Sequence, residues 1–241
     1  MNRLWKLVTR RKALPRPEFE ALREALLASP LVGRSTLAGP FQSSRGFAVT
    51  FRGDAGRQRV EDRFPSVKPW LEAVLGAPAT RVMTPFWRRR RPLERVPNAW
   101  YLNVLLVSEG GAVAKHLDVT LREPAGVETC APQMVSVLYL TVPPQVTGGA
   151  LMLWDGKKPV AMVTPRENTV LHFRGDLSHA VQAFTGAPTG VRASLVIEQY
   201  HFDDEALARL PEFQLDSRAG FEAFMKVHEG RGVKLELATP P

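Results

Sequence analysis

The chain has 241 residues, 44% of them hydrophobic and 23% charged, which excludes a disordered polyelectrolyte and allows a sizeable core. A single cysteine, Cys130, excludes an internal disulfide framework, and no apolar run approaches the ~18 residues of a bilayer span. The formal charge of +8 suits an anionic substrate or partner without demanding nucleic acid.

The opening MNRLWKLVTRRKALPRPEF is basic but lacks the apolar stretch and small-residue cleavage site of a secretory signal, so a cytoplasmic protein is expected. Its Arg and Lys content leaves organelle targeting open. RPEFEALREALLA places Phe19, Leu22 and Leu26 at helical spacing, and Pro30 ends the run. GFAVTFR and RQRVEDRF read as a hairpin whose turn is supplied by Gly53, Asp54 and Gly56. SVKPWLEAVLG reads as a second helix, with Ser66 as N-cap, Trp70/Val74 and Leu71/Leu75 four apart, and Gly76 as C-cap. Both helices are expected to brace a sheet. Next comes the run Arg88, Arg89, Arg90, Arg91, flanked by Trp87 and Arg95. Its plain reading is a solvated loop; the sharper one is a contact for phosphate or an acidic partner.

From Ala99 to about Phe202 the pattern changes to strands near 99–108, 114–120, 134–142, 149–154, 159–163, 168–174, 179–184 and 191–200. Short strands at this spacing, punctuated by Gly, Pro and Asn, predict two packed sheets forming a barrel or jelly roll. The rest reads as helical: DDEALARL has acidic capping residues, and SRAGFEAFMKVHE sets Phe221, Phe224, Met225 and His228 at helical spacing. No repeat or long linker interrupts the chain. One domain over 1–241 is therefore expected, with a bracing part (1–98), a β core (99–202) and a helical C-terminal segment (203–241).

The chemistry-bearing residues are His116, Asp118 and His179, followed by Arg192 and Ser194. On a strand, i and i+2 share a face, so His116 and Asp118 can both point into a barrel mouth while Leu117 points away. Two imidazoles and one carboxylate occupy one face of an octahedral ferrous ion and leave three positions open. Zinc accepts the same donors, although structural zinc usually takes a fourth protein ligand. Arg192 and Ser194 share the other i,i+2 relationship. A guanidinium fork matches a carboxylate bidentately, and an arginine inside a barrel needs an anion to offset its desolvation. The bland alternative pairs Arg192 with a local acid such as Glu198. A second His-x-Asp, His201 to Asp203, is followed only by His228 and is not expected to bind metal. His172 reads as a strand residue near the site, Asp155 and Asp176 as turn residues, and Cys130 as a loop residue.

The segments HLD, MVSVLYLTVP, GGALMLWDG, ENTVLHFRGDLSHAVQAF and VRASLVIEQYHFD, within 101–203, resemble the Fe(II)/2-oxoglutarate-dependent dioxygenase superfamily, and most of all its prolyl-hydroxylase branch. The resemblance implies an all-β core with flanking helices, a double-stranded β-helix of the jelly-roll, cupin-like kind. It implies His116, Asp118 and His179 as iron ligands, with none but these ligands catalytic. Arg192 would hold the C5 carboxylate of 2-oxoglutarate, with Ser194 beside it and Tyr139 as a further contact. The plain reading of Tyr139 is strand packing. Two departures stand out. Leu106 and Val113 replace the tyrosines of the branch before His-x-Asp, with Asn103 as a polar substitute, and TGAPTG lengthens the spacing from His179 to Arg192.

The implied activity couples 2-oxoglutarate and dioxygen to hydroxylation of an unactivated C–H bond, giving succinate and carbon dioxide. A peptide or protein residue such as proline is the first candidate substrate. The alternatives are a small molecule (amino acid, natural product or lipid-linked sugar) and a basic module that acts on or binds nucleic acid, which is left open but not favoured.

Overall fold

The computed structural model describes residues 7–34, 44–75, 96–121, 131–186 and 189–220. The Arg88–Arg91 run, Gly76, Cys130 and the expected helix around Phe221 to His228 lie outside the described residues. In chain order the elements are β1 (Leu7–Arg11), α1 (Arg16–Leu27), β2 (Gly33–Arg34), β3 (Ser44–Arg52), α2 (Gly53–Arg63), α3 (Lys68–Leu75) and β4 (Ala99–Ser108). They continue with β5 (Val113–His116), β6 (Met134–Thr141), β7 (Thr147–Gly148), β8 (Leu151–Asp155) and β9 (Lys158–Val163). The last are β10 (Thr169–Arg174), β11 (Ser178–Val181), β12 (Phe184–Thr185), β13 (Val191–Tyr200), α4 (Asp204–Arg209) and β14 (Phe213–Asp216).

The larger sheet has the order β1-β10-β6-β13-β4-β3-β14, with β2 on β3, and the smaller is β5-β11-β8-β9. All these pairings are antiparallel. Each sheet interleaves strands distant in sequence, β10-β6-β13-β4 in one and β5-β11-β8-β9 in the other. This is the strand order of a jelly roll, a double-stranded β-helix with flanking helices.

The central strands β4, β6 and β13 are nearly continuous apolar runs because both of their faces are covered. Alternation divides their side chains. Leu102, Leu138, Leu195 and Ile197 pack outward against Phe19, Leu22 and Leu26 of α1, Val60 of α2, and Trp70, Leu71 and Val74 of α3. Leu105, Val137, Tyr139, Leu153, Phe173 and Val181 fill the space between the sheets. Full burial of each aliphatic or aromatic side chain contributes about 1.5–3 kcal/mol, so the helical brace is a substantial part of the larger sheet's stability.

Several sequence expectations need correction. The segment after β3 is helix α2, not the second strand of a hairpin. Arg57 bonds Glu61 at 2.7 Å and Gln58 bonds Asp62 at 2.8 Å, i,i+4 pairs that a strand cannot make. Gly56 lies against the Glu212 carbonyl, where a Cβ would fall 2.2 Å away, so it serves packing rather than a hairpin turn. β3 pairs with β4 instead. Ser66 sits inside a 3-10 turn, Pro65–Val67, that runs directly into α3, and therefore does not cap that helix. The helix expected over DDEALARL is α4, but Phe213 and Leu215, also expected to be helical, alternate onto the core as β14, paired with β3. The strand expected over 114–120 ends at His116.

Gly46 has a φ of +152° and pairs with Leu105, and a Cβ there would fall 1.7 Å from the Val104 carbonyl oxygen. Gly46→Ala should destabilise the fold by roughly 1–3 kcal/mol, because the β3–β4 ladder must part to admit it. Urea unfolding checks this; an unchanged midpoint would contradict the close approach.

At one end of the outer face the Ser136 hydroxyl lies 2.8 Å from His172 Nδ1 and accepts a bond from Gln199 Nε2 at 3.4 Å. Burial, aided by the charge of Arg10, lowers the His172 pKa from its ordinary 6.5 to about 4. The fold thus holds the neutral ring. Stability present above the unfolded value should fall away as pH drops from about 6.5 towards 4, by on the order of 1–3 kcal/mol. Urea midpoints measured across that window should slope in the wild type and flatten in His172→Asn. Equal slopes in both would refute the assignment.

Candidate metal and co-substrate site

His116 is the last residue of β5, and His179 stands directly opposite it on β11. Their ring centroids are 4.2 Å apart. Asp118 is not on a strand, contrary to the i,i+2 expectation. It lies in the irregular segment after β5, and Leu117, 45% exposed, turns away from the site. The carboxylate nonetheless reaches both rings: Asp118 Oδ1 is 3.3 Å from His116 Nε2 and Oδ2 is 3.4 Å from His179 Nε2. One ligand atom from each residue falls within 4.8 Å of the others.

Hydrogen bonding behind the triad fits a metal. His116 Nδ1 lies 2.8 Å from the Ala114 carbonyl and His179 Nδ1 lies 3.3 Å from the Leu177 carbonyl. A carbonyl can only accept, so both rings carry a proton on Nδ1 and turn Nε2, the atom free to ligate a metal once deprotonated, to the centre. Asp118 is buried, and its Oδ2 has no hydrogen-bond partner. A buried carboxylate oxygen facing two imidazole nitrogens is a costly arrangement that a divalent cation satisfies.

The three groups shift one another's titration. Burial opposes ionisation of Asp118, but the charge of His179, followed by the hydrogen bond and charge of His116, holds its pKa below the ordinary value. Burial lowers His179, with Asp118 pulling the other way. Burial also works to lower His116, yet the Asp118 hydrogen bond and charge leave it raised.

The triad opens on a cavity between the sheets that Arg192, Ser194 and Tyr139 also line. Arg192 is 3% exposed. Its Nη1 donates to the Gly149 carbonyl at 2.7 Å, its Cζ stands 5.7 Å from the Tyr139 ring centroid, and its Nε has no partner. The Tyr139 hydroxyl is likewise buried without a partner, and Ser194 is its register neighbour across β13 and β6. Burial lowers the Arg192 pKa and raises that of Tyr139. The bland reading of Arg192 fails, because both oxygens of Glu198 are taken by Thr120 and Tyr200. Buried donors without acceptors call for an anionic ligand of carboxylate type.

Asn103 and Val113 line the same cavity, whereas Leu106 packs with the outer cluster. Trp154 does not line it; its ring face carries Lys115 Nζ at 4.6 Å. The second His-x-Asp is structural. His201 Nδ1 lies 2.7 Å from the Val96 carbonyl, and Asp203 caps α4 by accepting from the Ala206 amide at 2.8 Å. Asp176 pairs with Arg174 in the β10–β11 turn, and Asp155 opens the β8–β9 turn, as expected. The bonded group of Glu198, Tyr200 and Thr120 was missed by sequence reasoning. Only the polar residues at 198 and 200 on an inward-facing strand could have signalled it.

Jelly roll and triad together fit the 2-oxoglutarate/Fe(II) oxygenase pattern. Among solved structures, the chain is similar to a Pseudomonas putida prolyl-4-hydroxylase at 15% identity, over 82% of this chain and 93% of that one, with a TM-score of 0.48. A Trichoplax adhaerens prolyl hydroxylase, in complex with a peptide fragment of the hypoxia inducible factor oxygen degradation domain, is 14% identical over 84% and 86%, with a TM-score of 0.49. A 2OG-Fe(II) oxygenase family oxidoreductase from Burkholderia pseudomallei is 14% identical over 81% and 85%, with a TM-score of 0.47. No family model and no curated protein matches the chain. At such identities the weight rests on the strand order and the triad themselves. Among the described residues, no helix is long and apolar enough to cross a membrane.

Proposed function

We propose that this chain is an Fe(II)- and 2-oxoglutarate-dependent dioxygenase in which His116, Asp118 and His179 hold the iron. Arg192 holds the distal carboxylate of 2-oxoglutarate, with Tyr139 and Ser194 beside it. The observation that carries the proposal is the pairing of two incomplete polar sets in one cavity. One set is a buried carboxylate facing the Nε2 atoms of two imidazoles, a donor set that fits a divalent cation; the other is a buried guanidinium Nε and a phenol that meet no protein acceptor. Bound iron supplies dioxygen activation and the oxidising power to hydroxylate an unactivated C–H bond. The protein fixes the geometry: Nδ1 contacts to backbone carbonyls orient both rings, and the Arg192 fork aligns the co-substrate while the apolar walls exclude water. One dioxygen and one 2-oxoglutarate are consumed per hydroxylation, and one succinate and one carbon dioxide are released.

The substrate we propose is a peptide or protein residue, with proline first. The resemblance of the 101–203 segments to the prolyl-hydroxylase branch supports this. A small molecule is the second reading, and the Arg88–Arg91 run is the candidate contact for an anionic group on either. Succinate formation over a panel of proline-containing peptides, free amino acids and single-stranded oligonucleotides tests the assignment. Peptide-dependent turnover with a hydroxyproline product is expected. Turnover stimulated only by nucleotides would replace the substrate class, and none with any 2-oxo acid would overturn the enzyme itself.

A further inference from the structure

Asp118 poses a mechanical problem. It lies past the end of β5 in a segment without regular structure, yet a ligand carboxylate must be held to within about 0.5 Å of its working position. The residues just after it are fastened to β13. The Thr120 amide donates to the Tyr200 hydroxyl at 3.1 Å and the Leu121 amide to the same oxygen at 3.5 Å. The Thr120 hydroxyl donates to Glu198 Oε1 at 2.9 Å, and the Tyr200 hydroxyl donates to Glu198 Oε2. One phenol thus accepts from two backbone amides and donates to a carboxyl, and that carboxyl takes a second bond from the same segment.

The anchor is rigid. The Tyr200 ring is fully buried and stacked on Phe202 with centroids 5.6 Å apart, and Glu198 is buried in the wall of the cavity that Asp118 also lines. Glu198 and Tyr200 share the inward face of β13 with Arg192 and Ser194, as alternation requires. A carboxyl buried in a cavity wall is unfavourable compared with an apolar side chain of similar volume, so its presence calls for a purpose.

We infer that Tyr200, Glu198 and Thr120 form a tether that positions Asp118 for metal binding, an inference that rests on the triad being a metal site. The three are positioning residues: they act through the backbone at 120–121 and donate nothing to the metal. The same strand, β13, thereby carries Arg192 near one end and the Asp118 anchor near the other, and fixes the co-substrate and metal subsites relative to each other.

The test uses the whole chain and Mn(II), a divalent probe that does not oxidise in air. Tyr200→Phe keeps the stacked ring and removes the oxygen. Mn(II) affinity measured by calorimetry should fall roughly tenfold, the usual scale for groups that orient metal ligands. Hydrogen exchange across 117–121 in the metal-free protein should quicken; the melting temperature should also fall as buried partners lose their bond, so the Mn(II) affinity of the folded variant is the deciding reading. Thr120→Val should weaken Mn(II) in the same sense, and Thr120→Ser, which keeps the hydroxyl, should restore it. Should Tyr200→Phe fail to fold, the Thr120→Val and Thr120→Ser pair, at a half-buried position, decides by the same readings. A merely structural role would lower the melting temperature and leave the Mn(II) affinity of the folded variants unchanged, and that result overturns the inference alone. Wild-type protein that binds no Mn(II), or whose binding survives His116→Ala, overturns the metal reading and the tether with it.

Discussion

Arg192→Ala is expected to weaken 2-oxoglutarate binding by about 100-fold or more, the usual consequence of truncating one partner of a buried, hydrogen-bonded charge pair. The guanidinium is buried beside Tyr139, with one nitrogen on the Gly149 carbonyl and Nε unpaired, so little of its hydrogen-bonding capacity is spent on the protein. Arg192→Lys should fall between the two, because an ammonium restores the charge but not two parallel bonds. Metal affinity should be spared, since the triad comes from β5, β11 and the segment after β5. Pyruvate, which keeps the chelating keto acid and lacks the distal carboxylate, should barely distinguish wild type from Arg192→Ala. Calorimetric affinity and co-substrate-dependent succinate formation check each variant. Wild-type affinity in Arg192→Ala would move the anchor to another basic residue.

Asp118→Ala should abolish stoichiometric metal binding while leaving the fold intact. Its Oδ2 has no hydrogen bond in the protein, and its side chain faces the two imidazoles at the cavity instead of packing in the apolar core. The metal-free variant loses only that pairing, so its melting temperature should move little. His179→Ala should also lose the metal but melt earlier, because its ring packs edge-on against Phe173 at 5.1 Å between the sheets. Retained metal in Asp118→Ala would remove the carboxylate from the site.

Much of this architecture was legible in the sequence because its signals are local. β4 and β13 fall where the apolar runs 99–108 and 191–200 lie, bounded by Pro and Gly, and His179 and Arg192 face inward as the alternation requires. α1 follows from the spacing of Phe19, Leu22 and Leu26 alone. What escaped depends on partners distant in the chain. RQRVEDR has no strong period of either kind; α2 forms because Val60 and Gly56 meet the sheet and β14, and Gly53 and Asp54 resemble a turn only in isolation. β1 and β14 are short edge strands whose pairing with β10 and β3 no local pattern announces. The candidate metal triad was identifiable from His-x-Asp with a downstream His, and the fold brings its three side chains together. The fastening of Asp118 was not, since Thr120 and Tyr200 lie 80 residues apart and meet only through the register of β13.

The most direct test is anaerobic titration of the wild-type chain with Fe(II) and then 2-oxoglutarate, followed by visible absorption. Chelation of a three-ligand ferrous centre by the keto acid should produce a charge-transfer band that requires both additions. It should be absent in His116→Ala and Asp118→Ala and need far more 2-oxoglutarate in Arg192→Ala. No band in the wild type, or an undiminished band in Asp118→Ala, would contradict the assignment of this cavity as a 2-oxoglutarate/Fe(II) oxygenase site.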